Sequence, residues 1–166
     1  MAGDLNAAQE ALAGLERSFP TAPLTRRAQQ ELAGARARLE RAASGRLGVL
    51  CPLTGRYARF GNAFLQGVRL ATEHVPMEVG PGWTLLFEDT EADPVLAALR
   101  ARKLCAEDEC GLLLGGLLSS TTATAALVAA DHDVCLISPT ATSERLSMLG
   151  DHVLQTNQTG PLEAEL

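Results

Sequence analysis

Aromatic side chains are scarce in this chain, 4% of 166 residues, with one Trp and one Tyr. A core with so few rings is built from Leu, Val and Ala, which suits α/β layers better than an aromatic-rich β sandwich. Metal signatures are also lacking. The four cysteines, Cys51, Cys105, Cys110 and Cys135, form no CxxC pair. Cys105 and Cys110 bracket an expected helix end and leave two readings open, a local disulfide in an oxidising compartment or two buried free thiols. No stretch approaches the ~20 apolar residues of a membrane span. The opening Met1-Ala2-Gly3-Asp4 has neither the basic nor the apolar region of a signal peptide, which points a full-length protein to the cytoplasm but does not bear on a fragment without its leader.

Positive charge is in deficit. The formal charge is 14 − 20 = −6, divided unevenly: residues 1–45 carry six Arg against five acids, and residues 46–166 carry eight bases against fifteen acids. A body with a balance of −7 argues against a nucleic-acid surface. Signatures of catalysis are missing too. Ser119 stands in no G-x-S-x-G elbow, and His74, His132 and His152 fall at expected element ends, apart from it in sequence. No Walker sequence or G-x-G-x-x-G follows a strand, so a phosphate cradle is lacking. Glu88-Asp89 and Glu91 are better explained as an acidic loop leading to a helix capped by Asp93 than as a cation site. These absences describe a binding module, with no catalytic residues, metal or cofactor expected.

The informative stretch is Gly111–Thr142. Leu112–Leu114, bounded by glycines, reads as a buried strand, and Ser119, Ser120, Thr121 and Thr122 precede an Ala-rich helix. Val134–Ile137 is a second strand, closed by Ser138-Pro139 and a hydroxyl-rich turn of Thr140, Ala141, Thr142 and Ser143. Parallel strands joined this way place both loops at the carboxyl edge of the sheet, where open α/β sheets bind ligands. A helix start attracts anions, and hydroxyls at Ser119, Ser120, Thr140 and Thr142 can donate to a carboxylate without adding charge. Equally, Ser119 or Ser120 can be no more than a helix N-cap.

In chain order, residues 4–17 and 25–43 read as two helices broken by Ser18–Pro23, a hairpin with a solvated Arg face at Arg36, Arg38 and Arg41. Ser44-Gly45 marks the boundary, giving a helical hairpin over 1–44 and an α/β domain over 45–166. RLGVLCPL reads as a strand, TGRYARFG as a turn, 62–74 as a helix, 76–82 as a loop and WTLLFED as a strand. A helix follows from Pro94 to near Glu109, capped by Asp93. With HVLQT as a fifth strand the pattern is βαβαβαββ, a parallel, doubly wound sheet. Residues 160–166 read as the start of another helix.

GVLCPLTGRYARFGNAFLQGVRLA, FEDTEADP, GGLLSSTTATAALVAADHDVCLISPTATS and HVLQTNQTG, in this order over about 46–160, resemble the first lobe of a type I periplasmic binding protein. The nearest group is the branched-chain amino acid receptors of ABC importers. The resemblance implies a Rossmann-like lobe in the periplasm or cell envelope, a small amino-acid-like ligand and an ABC permease as partner. It puts ligand contacts on Ser119, on Thr140, Ala141 and Thr142, and on the first-loop aromatic Phe60 with Tyr57 beside it; Ser120 is an extra. The family's second lobe, with the acid for the ligand amine, is not in this chain. The hairpin resembles a tetratricopeptide-type unit. Such helices before a binding-protein module resemble outer-membrane activators of penicillin-binding proteins, which implies as the alternative a cell-wall synthesis partner met through the hairpin or the Arg56–Arg59 loop. A homodimer is also compatible with an apolar inter-lobe face.

Overall fold

The computed structural model describes residues 2–74 and 82–157. The expected loop over 76–82, apart from Gly82, and the expected helix start at 160–166 lie outside the described residues. The chain divides into two compact units, residues 1–40 and 41–166.

The first unit is a helical hairpin of α1 (Ala2–Ser18) and most of α2 (Pro23–Ala43). α2 opens at Pro23, where a residue without an N–H costs no helical bond, rather than at Thr25. Thr25 instead locks the turn, its buried hydroxyl donating to the Phe19 carbonyl at 2.7 Å.

The second unit carries five parallel strands: β1 (Arg46–Cys51), β2 (Thr84–Asp89), β3 (Leu112–Gly115), β4 (Cys135–Ser138) and β5 (Val153–Gln155). Their spatial order is β2-β1-β3-β4-β5, so the sheet is wound in opposite directions from the boundary between β1 and β3. The doubly wound parallel α/β fold expected from the strand–helix alternation is present.

The strands are joined by α3 (Ala58–His74), α4 (Pro94–Arg102) and α5 (Ser119–Asp131). α4 begins as its sequence dictates: Asp93 Oδ1 accepts from the Val95 and Leu96 N–H groups at 2.7 and 2.8 Å, and Pro94 occupies the first turn. Its last turn widens into a π segment, Lys103–Glu107, instead of continuing as α-helix to Glu109. Between β4 and β5 a 3-10 helix, Glu144–Leu149, occupies a span expected to be loop.

Alternate strand residues feed two cores. Leu50, Leu113 and Leu136 join Ala101, Leu104, Ala125 and Ala129, while Leu47, Val49 and Cys51 pack with Val68 and Phe64 of α3. Cys105 and Cys110 are buried in the first core as free thiols. Burial holds them protonated, at about 12 and about 11.

Candidate ligand-binding site

The reversal of winding between β1 and β3 opens a crevice at the carboxyl ends of these strands. The chain leaves β3 through Gly115 at φ 133°, where a Cβ would lie 1.9 Å from the Leu50 carbonyl oxygen. Only glycine fits there. On the β1 side α3 comes equally close, because a Cβ on Gly61 would meet the Pro52 carbonyl oxygen at 1.8 Å.

α3 begins at Ala58, earlier than its apolar spacing suggests, so the TGRYARFG segment is half turn and half helix. This places Tyr57 just before the helix and Phe60 in its first turn, with ring centroids 6.4 Å apart. Both line a pocket of about 410 Å³ together with Pro52, Phe64, Leu117, Leu118 and Thr140. Phe60 is 65% exposed, an unusual position for a large apolar ring. Arg56 leans over the Tyr57 ring, 5.6 Å from its centroid, so this loop charge has a local aromatic contact.

The second side of the crevice is the start of α5. Its N-cap is Leu118, which offers no side-chain acceptor, so neither Ser119 nor Ser120 caps the helix. The Ala-rich helix starts one residue earlier than an N-cap reading of Ser119 requires. Ser119 Oγ accepts from the Ser143 N–H at 3.3 Å, which leaves its own O–H free to donate. Thr140 differs: its hydroxyl donates to the Leu117 carbonyl at 2.8 Å, so its oxygen faces the crevice as an acceptor. Thr142 and Ser120 are exposed. Ala141 is buried, and its carbonyl is taken by Gln155 Nε2 at 2.8 Å. Of the seven residues expected at the site, Tyr57, Phe60 and Thr140 line the pocket. Ser119 and Ser120 stand in the first turn of α5, and Ala141 and Thr142 in the loop after β4.

Three supporting groups escaped sequence reasoning. Thr122 and Ser138, both fully buried, lie 3.2 Å apart; Ser138 donates to the Gly116 carbonyl at 2.9 Å and Thr122 Oγ1 also reaches that carbonyl. This network ties the β3–α5 loop to the end of β4. Asp89 pins the β1–α3 connection, accepting from Leu53 N–H (2.8 Å), Thr54 Oγ1 (2.6 Å) and Glu91 N–H (2.9 Å). Burial pushes the Asp89 carboxyl up, but these hydrogen bonds outweigh it and hold its pKa below 3.8. The pocket leucines Leu117 and Leu118 carried no sequence signal beyond following a Gly-Gly turn. The histidines stay out of the site's chemistry: His74 and His152 each bond a helix carbonyl at 3.1 Å.

The family model for periplasmic binding proteins matches residues 44–159. The chain belongs to the periplasmic binding protein family. Several solved structures share the periplasmic binding protein fold. A branched-chain amino acid transporter substrate-binding protein from Streptococcus pneumoniae, in complex with isoleucine, is 24% identical with a TM-score of 0.65 over 69% of this chain and 34% of that one. A leucine binding protein from Thermotoga maritima is 22% identical, TM-score 0.67, over 70% and 33%. A solute binding protein from Rhodopseudomonas palustris, in complex with 3,4-dihydroxybenzoic acid, is 21% identical, TM-score 0.65, over 69% and 32%. The chain therefore spans about a third of the length of the periplasmic binding proteins it matches. No match is found among curated proteins.

Proposed function

We propose that this chain supplies the first lobe of an extracytoplasmic solute-binding protein that takes an amino acid or a similar small carboxylate for ABC-type uptake or sensing. The observation that carries the reading is the free Ser119 O–H, on the uncapped start of α5 and next to an apolar pocket. A carboxylate at that helix start receives the hydroxyl and the dipole, while an apolar side chain enters the pocket of Tyr57, Phe60 and Phe64. Thr140, with its proton committed to Leu117, accepts from the ligand amine. Binding, not covalent chemistry, is what this geometry serves: the Ser119 oxygen has a backbone N–H as partner, not a base.

The relatives named above carry isoleucine, leucine or a hydroxybenzoate in their descriptions, and all three are compact carboxylates with an apolar body. The alternative of a cell-wall partner engaged through Arg56 and Arg59 gains nothing from them. We treat the hairpin over 1–44 as a tetratricopeptide-like extension to a lobe over 45–166.

An amide chemical-shift titration with L-amino acids and hydroxybenzoates tests the reading, since one lobe binds weakly and the method detects millimolar affinity. The expected result is saturable shifts at Phe60, Ser119–Thr122 and Thr140–Thr142. Ser119→Ala weakens every carboxylate by roughly tenfold, and Thr140→Val weakens amino acids more than hydroxybenzoates. No shifts at millimolar ligand, or wild-type affinity in Ser119→Ala, would overturn the assignment.

A further inference from the structure

β5 is the last strand in the sheet order, and its side chains alternate. Val153 joins the core that α5 covers, Leu154 faces the other way, and Gln155 returns to the Val153 side at the carboxyl end. From there Gln155 reaches the loop that leaves β4. Its amide nitrogen donates to the Ala141 carbonyl at 2.8 Å and to the Ser143 carbonyl at 3.2 Å. Both partners are acceptors, which fixes the N end of the amide toward the loop. Asn157, two residues on, donates to the Thr140 carbonyl at 3.2 Å. The end of β5 thus holds this loop by the carbonyls of Thr140, Ala141 and Ser143.

The two Gln155 bonds flank one peptide. Between the carbonyls of Ala141 and Ser143 lies the Thr142–Ser143 peptide, and its N–H is the group that donates to Ser119 Oγ at 3.3 Å. That bond is at the long end of the usual range, so a small displacement of the loop breaks it. The Ser143 carbonyl also accepts from the Leu146 N–H at 3.2 Å, which uses its second lone pair. Ser119 keeps its O–H for the crevice while its oxygen accepts from Ser143. Once that bond is lost, the hydroxyl is free to turn and serve the backbone around it.

We propose that Gln155 is a positioning residue of the ligand site: by holding the Ala141 and Ser143 carbonyls it aims the Ser143 N–H at Ser119, and so keeps the Ser119 O–H turned to a ligand carboxylate. The inference rests on the carboxylate reading of Ser119 given above. Glutamate has the same shape but cannot take this role at neutral pH, because an ionised carboxylate has no N–H and would face two carbonyl oxygens.

Amide spectra of the whole chain test it in two stages. Without ligand, Gln155→Met keeps the length of the side chain and removes its donors. It is expected to speed hydrogen exchange of the Ser143 amide roughly tenfold, as Ser119→Ala does. With the carboxylates of the titration above, Gln155→Met and Gln155→Glu weaken binding roughly five- to tenfold in the parent, but less than about twofold in a Ser119→Ala background. A side chain that merely keeps the domain folded would weaken both backgrounds alike. Parent affinity in both Gln155 variants, an equal loss in the two backgrounds, or an unmoved Ser143 amide overturns the proposal while the carboxylate site stands. A parent that responds to no carboxylate overturns the site itself, and the proposal with it.

Discussion

The two faces of the sheet are unequal. On one, α4 and α5 pack closely together, and the row Leu113, Leu136, Val153 across β3, β4 and β5 is 0%, 0% and 7% exposed. One residue further along each strand, on the other face, stands the row Leu114, Ile137, Leu154. Val49, the β1 neighbour of Leu114, is fully buried beside α3, but Leu114 and Ile137 are only half-buried and Leu154 is 49% exposed. Burial fades with distance from α3, the one described helix that packs there. The same residue type in neighbouring register therefore carries very different weight, and sequence hydrophobicity does not distinguish the two.

The most direct way to break the comparison is to truncate one leucine from each row. Leu113→Ala removes a side chain enclosed by Leu104, Cys110 and the α5 alanines and leaves a cavity that close-packed helices cannot fill. It is expected to cost about 3–5 kcal/mol, against less than about 1 kcal/mol for Leu154→Ala at the exposed edge. Urea unfolding of both variants measures the difference. Equal shifts in midpoint would mean that the second face is covered as tightly as the first.

The fold was legible because its signals are local and redundant. Leu112–Leu114, the Ala-rich α5 segment and the Asp93-Pro94 start each announce one element, and their alternation dictates parallel strands. Boundaries were less legible where tertiary contacts decide them. α3 reaches back to Ala58 because Gly61 can press against Pro52, a fact of packing rather than spacing. The hydroxyls of the site could be found, yet their polarity could not. Whether Ser119 or Thr140 keeps a proton for the ligand depends on Ser143 and Leu117, each more than twenty residues away in sequence.

The thinner face is held partly by polar bonds, and Asp89 is where to test that. Its carboxylate fixes the connection that delivers α3 to the sheet. Asp89→Ala removes all three acceptor contacts and is expected to cost about 1–2 kcal/mol, less than the Leu113 truncation. The sign with pH follows from the depressed pKa: Asp89's contribution is complete above 3.8 and is lost as pH falls through its lower folded value. The variant should therefore show a flatter loss of stability below pH 4 than the parent in acid titrations followed by circular dichroism. An unchanged acid limb would put the pinning elsewhere. Weakened ligand binding in the same variant would show that the Leu53–Thr54 turn also orders Tyr57 and Phe60.

The thiols sharpen the comparison with almost no cost in stability at neutral pH, because none of them is ionised there. Cys105 and Cys110 lie in the covered core, pushed up to about 12 and about 11 by burial. Cys135 pairs in register with Leu112 on the other face, half-buried, and is raised by burial alone. Since the thiolate is the nucleophile, alkylation of the folded protein at pH 8 should reach Cys135 first, with Cys105 and Cys110 modified only on unfolding. Mass spectrometry of timed reactions reads this directly. Above pH 9.0 the same burial becomes a liability: the stability that protonated Cys105 contributes is full below that value and is lost as pH rises through about 12. Rapid modification of Cys105 in the folded state would instead mean that the π segment at Lys103–Glu107 opens, and that the better-covered face is the more dynamic one.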